Sequence, residues 1–271
     1  MEAEVLVVGG GPAGATLAAL LSQRGRRVCL LERERFPRFS VGESLLPKSC
    51  EVFEQLGLMD ELDRMFLRKY GARFVSVDGR EVRYVFAEAF LKQHDYAFQV
   101  RRDAFDAMLL NRARELGAAI HQPCKVTEVI FDGDRAVGVR TQTEAGSSEI
   151  RAQVVVDAGG RPSILSRRAG VRRLRGLEMS AMFAHFRGVP RPAGEPAGDG
   201  VVCFFEHGWF WLIPFRGDIT SVGAVMDRRW MATRDGASNE EFFEKTWRAT
   251  PHLAAKLAGA ERTTEVRAAA D

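Results

Sequence analysis

The stretch Glu4-Val5-Leu6-Val7-Val8-Gly9-Gly10-Gly11-Pro12-Ala13-Gly14 decides the fold. Its valine-rich start suits a strand buried on both faces of a parallel sheet. The glycines that follow fit the spacing G-x-G-x-x-G at Gly9, Gly11 and Gly14. Gly9 permits the tight turn, Gly11 lets a pyrophosphate approach the backbone, and Gly14 lets a helix pack closely against the strand. A helix from Pro12 to Arg24 would aim its N-terminal amides and the positive end of its dipole at the phosphates. Pro12 and Ala13 sit in its first turn, where a proline has no amide hydrogen to leave unsatisfied. Gly25 closes the helix, Arg27 to Leu31 form a second strand, and Glu32 ends it. A carboxylate there accepts hydrogen bonds from ribose hydroxyls and repels a 2′-phosphate. The competing reading is a glycine-rich turn that binds nothing.

At 271 residues the chain can bury a full core in one or two domains. The formal charge of +3, from 39 basic and 36 acidic side chains, excludes the broad single-sign field of a dedicated nucleic-acid binder. Basic residues cluster once, at Arg161, Arg167, Arg168, Arg172, Arg173 and Arg175. They read as a solvated helix end and loop, or as a docking patch for an acidic partner or a carrier-bound substrate. Cys29, Cys50, Cys124 and Cys203 lie far apart without C-x-x-C spacing, so neither a zinc site nor a disulfide framework is expected. The apolar run Val5 to Leu21 is broken by glycines and lacks a basic leader, which argues against a signal peptide or a membrane helix. A cytoplasmic protein without membrane or nucleic-acid partners is the expectation.

Beyond the first βαβ unit, a loop rich in Arg and Pro (Arg33 to Pro47) precedes helical patterns at Lys48 to Leu56 and Asp60 to Phe66. Alternating stretches at Ala72 to Val77 and Arg80 to Phe86 flank Asp78-Gly79, a hairpin signal. A helix after Arg102 and strands from Ala118 to Arg140 return the chain to the nucleotide-binding sheet. From Met179 the character changes: strand-like runs at Ala181 to Arg187, Val201 to Glu206, Trp209 to Phe215 and Thr220 to Met226 read as an antiparallel sheet. Pro190 to Gly200 is expected as a solvent-facing connection, and Thr263 to Arg267 as a further strand. The fold class is therefore α/β: a Rossmann-like dinucleotide-binding domain with a parallel sheet, into which a mainly antiparallel β-sheet substrate domain is inserted. The expected boundaries are 1–70 with 101–175 for the first domain, and 71–100 with 176–271 for the second.

Whether the dinucleotide is FAD or a nicotinamide is answered by two further segments. Val100-Arg101-Arg102-Asp103-Ala104-Phe105-Asp106 resembles the arginine-bearing segment of the para-hydroxybenzoate hydroxylase group of FAD enzymes, with Arg102 at the matching arginine. Val154-Val155-Val156-Asp157-Ala158-Gly159-Gly160 is similar to the second flavin-binding strand and turn of that fold. On position alone, Arg102 reads equally as a surface arginine at a helix start, and Asp157 as the cap of a turn.

Three segments narrow the resemblance to the flavin-dependent halogenases. Gly42-Glu43-Ser44-Leu45-Leu46-Pro47 looks like their G-E-S-x-x-P segment. Arg68-Lys69-Tyr70-Gly71 is similar to the stretch carrying their essential lysine. Trp209-Phe210-Trp211-Leu212-Ile213-Pro214 matches their W-x-W-x-I-P signature at every fixed position. The resemblance implies FAD held by Gly9, Gly11, Pro12, Ala13, Gly14, Glu32, Arg33, Ser44, Arg102, Val126, Asp157 and Gly159, with reduced FAD supplied in trans by a flavin reductase. It further implies that O2 and a halide ion yield hypohalous acid, which the catalytic Lys69 holds for transfer to an electron-rich aromatic substrate, small or carrier-bound. A compact amine suits that task better than a delocalised guanidinium. Trp209, Trp211 and Pro214 would form a barrier between flavin and substrate.

Other readings stay open from the residues themselves. Lys69 also reads as a solvated lysine before a strand, the two tryptophans as core, and His185 and His207 as satisfied strand histidines; no spacing suggests a metal site. A hydroxylase or a prenyl-chain reductase would share the glycine motif and Arg102, and a non-catalytic FAD-binding protein is a further alternative. The resemblance also implies a C-terminal part, with a Gly-Asp motif opening a helix, that is missing from these 271 residues.

Overall fold

The computed structural model describes residues 2–90, 94–161, 163–168, 170 and 179–270. Strand β1 (Glu2–Val8) runs into helix α1 (Pro12–Gln23) and strand β2 (Val28–Leu31). Helices α2 (Lys48–Gln55) and α3 (Met59–Met65) follow, then β3 (Leu67–Lys69), β4 (Gly71–Val75), β5 (Glu81–Val85) and β6 (Ala97–Gln99). Helix α4 (Arg102–Glu115) leads to β7 (Ala119–His121), β8 (Lys125–Asp132), β9 (Arg135–Thr143), β10 (Gly146–Asp157) and α5 (Ile164–Arg168). The remainder comprises β11 (Met179–Arg187), β12 (Gly200–Phe205), β13 (Gly208–Pro214), β14 (Ile219–Asp227), α6 (Arg228–Ala232), α7 (Asn239–Arg248), α8 (Pro251–Leu257), β15 (Glu261–Arg262) and β16 (Arg267–Ala270).

Two compact units emerge, residues 1–41 with 102–173, and residues 42–101 with 174–271. The first is the α/β unit. Its sheet runs β7-β2-β1-β10-β9-β8, parallel from β7 to β10 and closed by the antiparallel meander β10-β9-β8. β1 lies between β2 and β10, so both its edges are paired, and its alternate side chains Leu6 and Val7 are both fully buried, one on each face. Helix α1 offers small residues, Ala15, Ala18 and Ala19, to its neighbours, which lets it lie close to β1, β2 and α4. Cys29 and Cys124 belong to the core of this unit, beside Leu6, Leu31 and Val139.

The second unit is built on an eight-stranded sheet, β15-β11-β14-β13-β12-β4-β5, with β16 also paired to β11. All its pairings are antiparallel except that of β12 with β4. The period of two along β13 sends Phe210 and Leu212 into a core with Met182, Val222 and Ala224, against Phe242, Phe243 and Leu253 of α7 and α8. Helix α7 starts with a reciprocal Ser238–Glu241 capping box.

Three expectations change. Residues 42–70, grouped by sequence with the nucleotide-binding domain, cluster with the second unit. Ser44 bridges to Gln99, the Leu45 amide donates to Phe98 O at 3.0 Å, and β3 pairs with β6, which stitches the segment there. The connection Pro190 to Gly200 is not solvent-facing at its end: a short 3-10 turn at Glu195–Gly198 carries the chain inward, and Gly198, Asp199 and Gly200 are buried. Thr263 to Arg267 is not one strand. The Thr263 amide and hydroxyl both donate to His185 O, at 2.8 and 3.1 Å, and the Thr264 hydroxyl accepts from the His185 amide at 2.9 Å, so side chains share the pairing with one backbone bond between β15 and β16. Of the basic cluster, Arg161 is exposed, while Arg172, Arg173 and Arg175 lie outside the described residues.

Because Phe210 is fully buried under α7, Phe210→Ala is expected to cost about 3–5 kcal/mol in urea unfolding, whereas Ser238→Ala costs about 1 kcal/mol. Equal losses for the two variants would contradict the burial described.

Candidate active site

In the first unit, a cavity of about 470 Å³ opens at the C-terminal ends of β1, β2 and β10 and at the start of α1. The backbone at this crossing is as tight as the glycine spacing requires. Gly9 has φ +102°, and a Cβ on it would lie 2.6 Å from Ala158 O. A Cβ on Gly14 would lie 1.9 Å from Gly9 O, so no larger residue fits. Gly11 has open space at its α-carbon apart from Arg38 Nη2, which a Cβ would meet at 3.5 Å, and it lines the cavity.

Glu32 stands at the end of β2, 5% exposed, with its carboxylate already organised. Its Oε2 accepts from the Gly10 amide at 2.7 Å and its Oε1 from the Glu34 amide at 2.8 Å. Each oxygen retains a lone pair toward the cavity it lines. On the opposite wall, Asp157 accepts from the Gly159 amide at 2.9 Å, the Ser163 hydroxyl at 2.7 Å and the Leu165 amide at 2.8 Å. Burial pushes its carboxyl up, but these bonds outweigh that effect and hold it below the usual range.

Arg102 reaches the same cavity from α4. Its Nε and Nη2 donate to the two oxygens of buried Asp106, at 2.7 and 3.0 Å, and its Nη1 donates to Val41 O. Arg38 Nη1 also approaches Asp106, at 3.5 Å, while its guanidinium lies over the Phe36 ring and its buried Nε meets no acceptor among the described residues. One carboxylate thus orients two arginines at a cavity that the dipole of α1 already makes attractive to anions.

A second cluster lies within the second unit. Lys69, at the end of β3, is 3% exposed. Its Nζ donates to Ser44 Oγ at 2.7 Å and sits 5.3 Å from the centre of the Phe86 ring. Ser44 is exposed, so the amine ends one hydrogen bond from the surface. Burial pulls the Lys69 ammonium from 10.5 down to about 8, and the charge of Asp199 draws it partly back. Ser44 and its neighbour Glu43 point to opposite sides of the extended segment. Glu43, buried, faces His185 Nε2 at 3.3 Å.

The structure therefore divides the sequence-predicted set. Gly9, Gly11, Pro12, Ala13, Glu32, Arg33, Arg102, Val126, Asp157 and Gly159 all line the first cavity. Gly14 packs behind it, and Ser44 joins Lys69 instead. Trp209 and Trp211 project, half buried, from the face of β13 opposite the helices, whereas Pro214 is buried on the other alternation. Trp211 lies on Gly223, where a Cβ would come 2.1 Å from its ring, and its indole N–H donates to Ser221 Oγ at 3.2 Å. His207 stacks on Trp230 at 4.6 Å, beside Asp227. Arg38, Asp106 and Gln99 carry no role in the sequence reading, and Gly198-Asp199 reads there only as a turn. Asp106 alone had a local signal, four residues after Arg102 on one helix face. Burial pushes the thiols of Cys29, Cys50 and Cys203 up to about 11, which makes them poor nucleophiles. Among the described residues no group of three or more His, Cys, Asp or Glu could hold a metal ion, and no helix is long and apolar enough to cross a membrane.

A glycine cradle at a helix start, an acid at the end of β2, and arginines poised over the opening fit a flavin dinucleotide, and the chain belongs to the FAD binding domain family over residues 2–270. Its relatives are more specific. It is 32% identical, over 99% of its length, to a 1H-pyrrole-2-carbonyl-[peptidyl-carrier protein] chlorinase of Pseudomonas fluorescens, and 32% identical, over 92%, to a tryptophan 2-halogenase of Chondromyces crocatus. Among solved structures it is similar to CmlS, a flavin-dependent halogenase (TM-score 0.92, 34% identity, all of this chain and 50% of that one). It is also similar to the myxobacterial chondrochloren halogenase CndH (TM-score 0.87, 33% identity, all of this chain and 64% of that one). The chain spans 65% of the length of the chlorinase and 48% of that of the tryptophan halogenase.

The buried amine has a measurable consequence for stability. Between pH 8 and 10.5 the unfolded chain holds a proton that folded Lys69 has released, so stability rises with pH across that window. Below it, the buried ammonium costs the folded state on the order of 3 kcal/mol. Lys69→Met is expected to raise the Tm at pH 7, with the gain fading as pH approaches 10.5. A Tm difference independent of pH would mean that the amine is not desolvated.

Proposed function

We propose that this chain is the flavin- and lysine-bearing part of a flavin-dependent halogenase acting on an electron-rich aromatic compound. The observation that carries the proposal is the meeting of two distant segments: Ser44, from Gly42-Glu43-Ser44, holds the buried amine of Lys69 at 2.7 Å. A solvated lysine would need no such setting, and a buried amine without a task is a net cost to the fold.

In this reading the amides around Gly11, Pro12 and Ala13 take the pyrophosphate of FAD, and Glu32 takes a ribose hydroxyl. Arg33 and the backbone of Val126 flank the adenosine end. Asp157 and Gly159 face the flavin-proximal side, and Arg102, oriented by Asp106, holds the loop that ends at Val41. When bound, FAD that a separate reductase has reduced supplies, with O2, the two-electron oxidation that converts halide to hypohalous acid. Lys69 then receives the acid. With its midpoint at about 8, the Nζ is largely protonated at neutral pH, donates to the hypohalous oxygen and leaves the halogen electrophilic toward the substrate ring. Ser44 Oγ fixes the direction of that donor. Trp211, anchored through Gly223 and Ser221, and Trp209 on the same face of the strand present an aromatic surface that keeps the two chemistries apart. A carrier-bound ring is favoured as substrate, because the pyrrole chlorinase of Pseudomonas fluorescens is named for such a substrate.

With reduced FAD regenerated by an added reductase, bromide present and an activated phenol as acceptor, brominated product is expected at neutral pH and is expected to fall as pH rises through about 8. Lys69→Ala is expected to lower it by 10²-fold or more, on the order expected of a lost acid group, while flavin binding persists. Gly14→Val is expected to abolish flavin retention, read by absorbance after gel filtration. Hydroxylated product, or a halogenation rate indifferent to Lys69→Ala, would refute the proposal.

A further inference from the structure

The tripeptide Gly198-Asp199-Gly200 is pressed directly onto the Lys69 cluster. A Cβ on Gly198 would lie 1.9 Å from Arg68 O and 3.2 Å from Lys69 Cα, and one on Gly200 would lie 3.2 Å from Gln99 Nε2 and 3.7 Å from Ser44 Oγ. The Asp199 side chain between them is wholly buried. Its Oδ2 accepts from Arg83 Nε at 2.6 Å, and its Oδ1 meets no donor among the described residues. That Oδ1 lies beside the turn after Lys69, where a Cβ on Gly71 would come within 3.5 Å of it.

A carboxylate with no exposure is expensive to keep ionised. Arg83 offsets part of the cost, but it is itself partly exposed and also donates to Glu195 at 2.9 Å. The other charged groups around β3 are engaged elsewhere. Arg68 is held by Asp63 and lies over Tyr96, Glu43 faces His185, and Tyr70 packs on Tyr96. Asp199 is the carboxylate whose charge reaches the Lys69 amine.

We propose that Asp199 is a positioning residue for Lys69: clamped by Arg83, its carboxylate supplies the buried negative charge that keeps the Lys69 Nζ protonated and turned toward Ser44 Oγ. Its consequence for catalysis rests on the halogenase reading, but the coupling itself does not. Without Asp199 the same burial would act uncompensated and pull the amine's midpoint lower still. With it, the amine remains a hydrogen-bond donor in the range where an enzyme of this kind works. The carboxylate acts through Lys69 and need touch neither halogen nor substrate.

The coupling is read directly by NMR titration of the chain with carbon-13 at lysine Cε, without flavin, halide or substrate. The Lys69 signal is the one missing from Lys69→Met, and its midpoint is expected near 8. Asp199→Asn, whose fold is checked by circular dichroism, is expected to lower that midpoint by roughly one unit or more. Asp199→Glu, which keeps the charge, is expected to stay near the parent. Arg83→Gln removes the cation that helps keep buried Asp199 ionised, and is expected to lower the midpoint as well. An unchanged midpoint in folded Asp199→Asn would overturn the proposal, and if that variant does not fold, an unchanged or raised midpoint in Arg83→Gln would do so. In the bromination assay the pH profile of Asp199→Asn is expected to shift to lower pH. Failure of the parent to brominate would count against the halogenase reading and leave the titration to decide the coupling.

Discussion

The contact between Gly14 and Gly9, where a Cβ would come within 1.9 Å of a carbonyl oxygen, seats α1 on β1 more closely than any other residue pair would allow. Everything in the first unit follows from that approach. It brings the free amides of α1 to the mouth of the cavity, beside the turn at Ala158 and Gly159. It also leaves room for Glu32, at the end of the adjacent strand, to reach back to the Gly10 amide. The carboxylate therefore does two things at once: it braces the glycine turn and keeps its remaining lone pairs at the edge of the cavity. The small residues Ala15, Ala18 and Ala19 extend the same close packing along the helix.

In the second unit the organising constraint is the cost of a buried charge. The fold spends none of its large apolar core on Lys69. That core lies on the helix-covered face of the sheet, built from Phe210, Leu212 and their neighbours. Lys69 is instead enclosed by short backbone approaches, two of them at glycines, and by one hydroxyl. Such an enclosure excludes water while keeping Asp199 close enough to act, so the amine sits between full desolvation and full compensation. The same sheet presents Trp211 on its other face, flat against Gly223. One strand thus serves packing with its buried residues and, in the proposed function, separation of two chemistries with its half-buried ones.

What could be read from sequence was what local rules encode. The glycine spacing, the valines of β1, the acid at Glu32, the Asp78-Gly79 hairpin and the alternation along β13 are short-range patterns, and each found its element. Some further features are also encoded locally. The Ser238-Asn239-Glu240-Glu241 start of α7 is a capping box followed by apolar Phe242, Phe243 and Trp247. The rest had no local signal. Asp199 sits in a stretch rich in Pro and Gly that reads as a surface loop, and only its approach to Lys69, 130 positions earlier in the numbering, makes it buried. Gln99, fully buried, and Arg38 gain their surroundings the same way. Residues 42–70 were grouped with the wrong neighbours because a single bridge from Ser44 to Gln99 and the short β3–β6 pair outweigh proximity in sequence.

The parallel seam between β4 and β12 carries a consequence for how the polypeptide reaches its native form. Gly200 to Cys203 pair with Ala72 to Val75, and β1 likewise waits for β10 before its second edge is covered. Both units are therefore assembled from segments far apart along the chain, a high contact order that slows folding. On the ribosome the lysine strand emerges long before the tripeptide that encloses it, so for much of synthesis the amine remains an ordinary, hydrated one. Its lowered titration is acquired only once the seam has closed, which makes the character of that amine a product of long-range pairing rather than of local sequence.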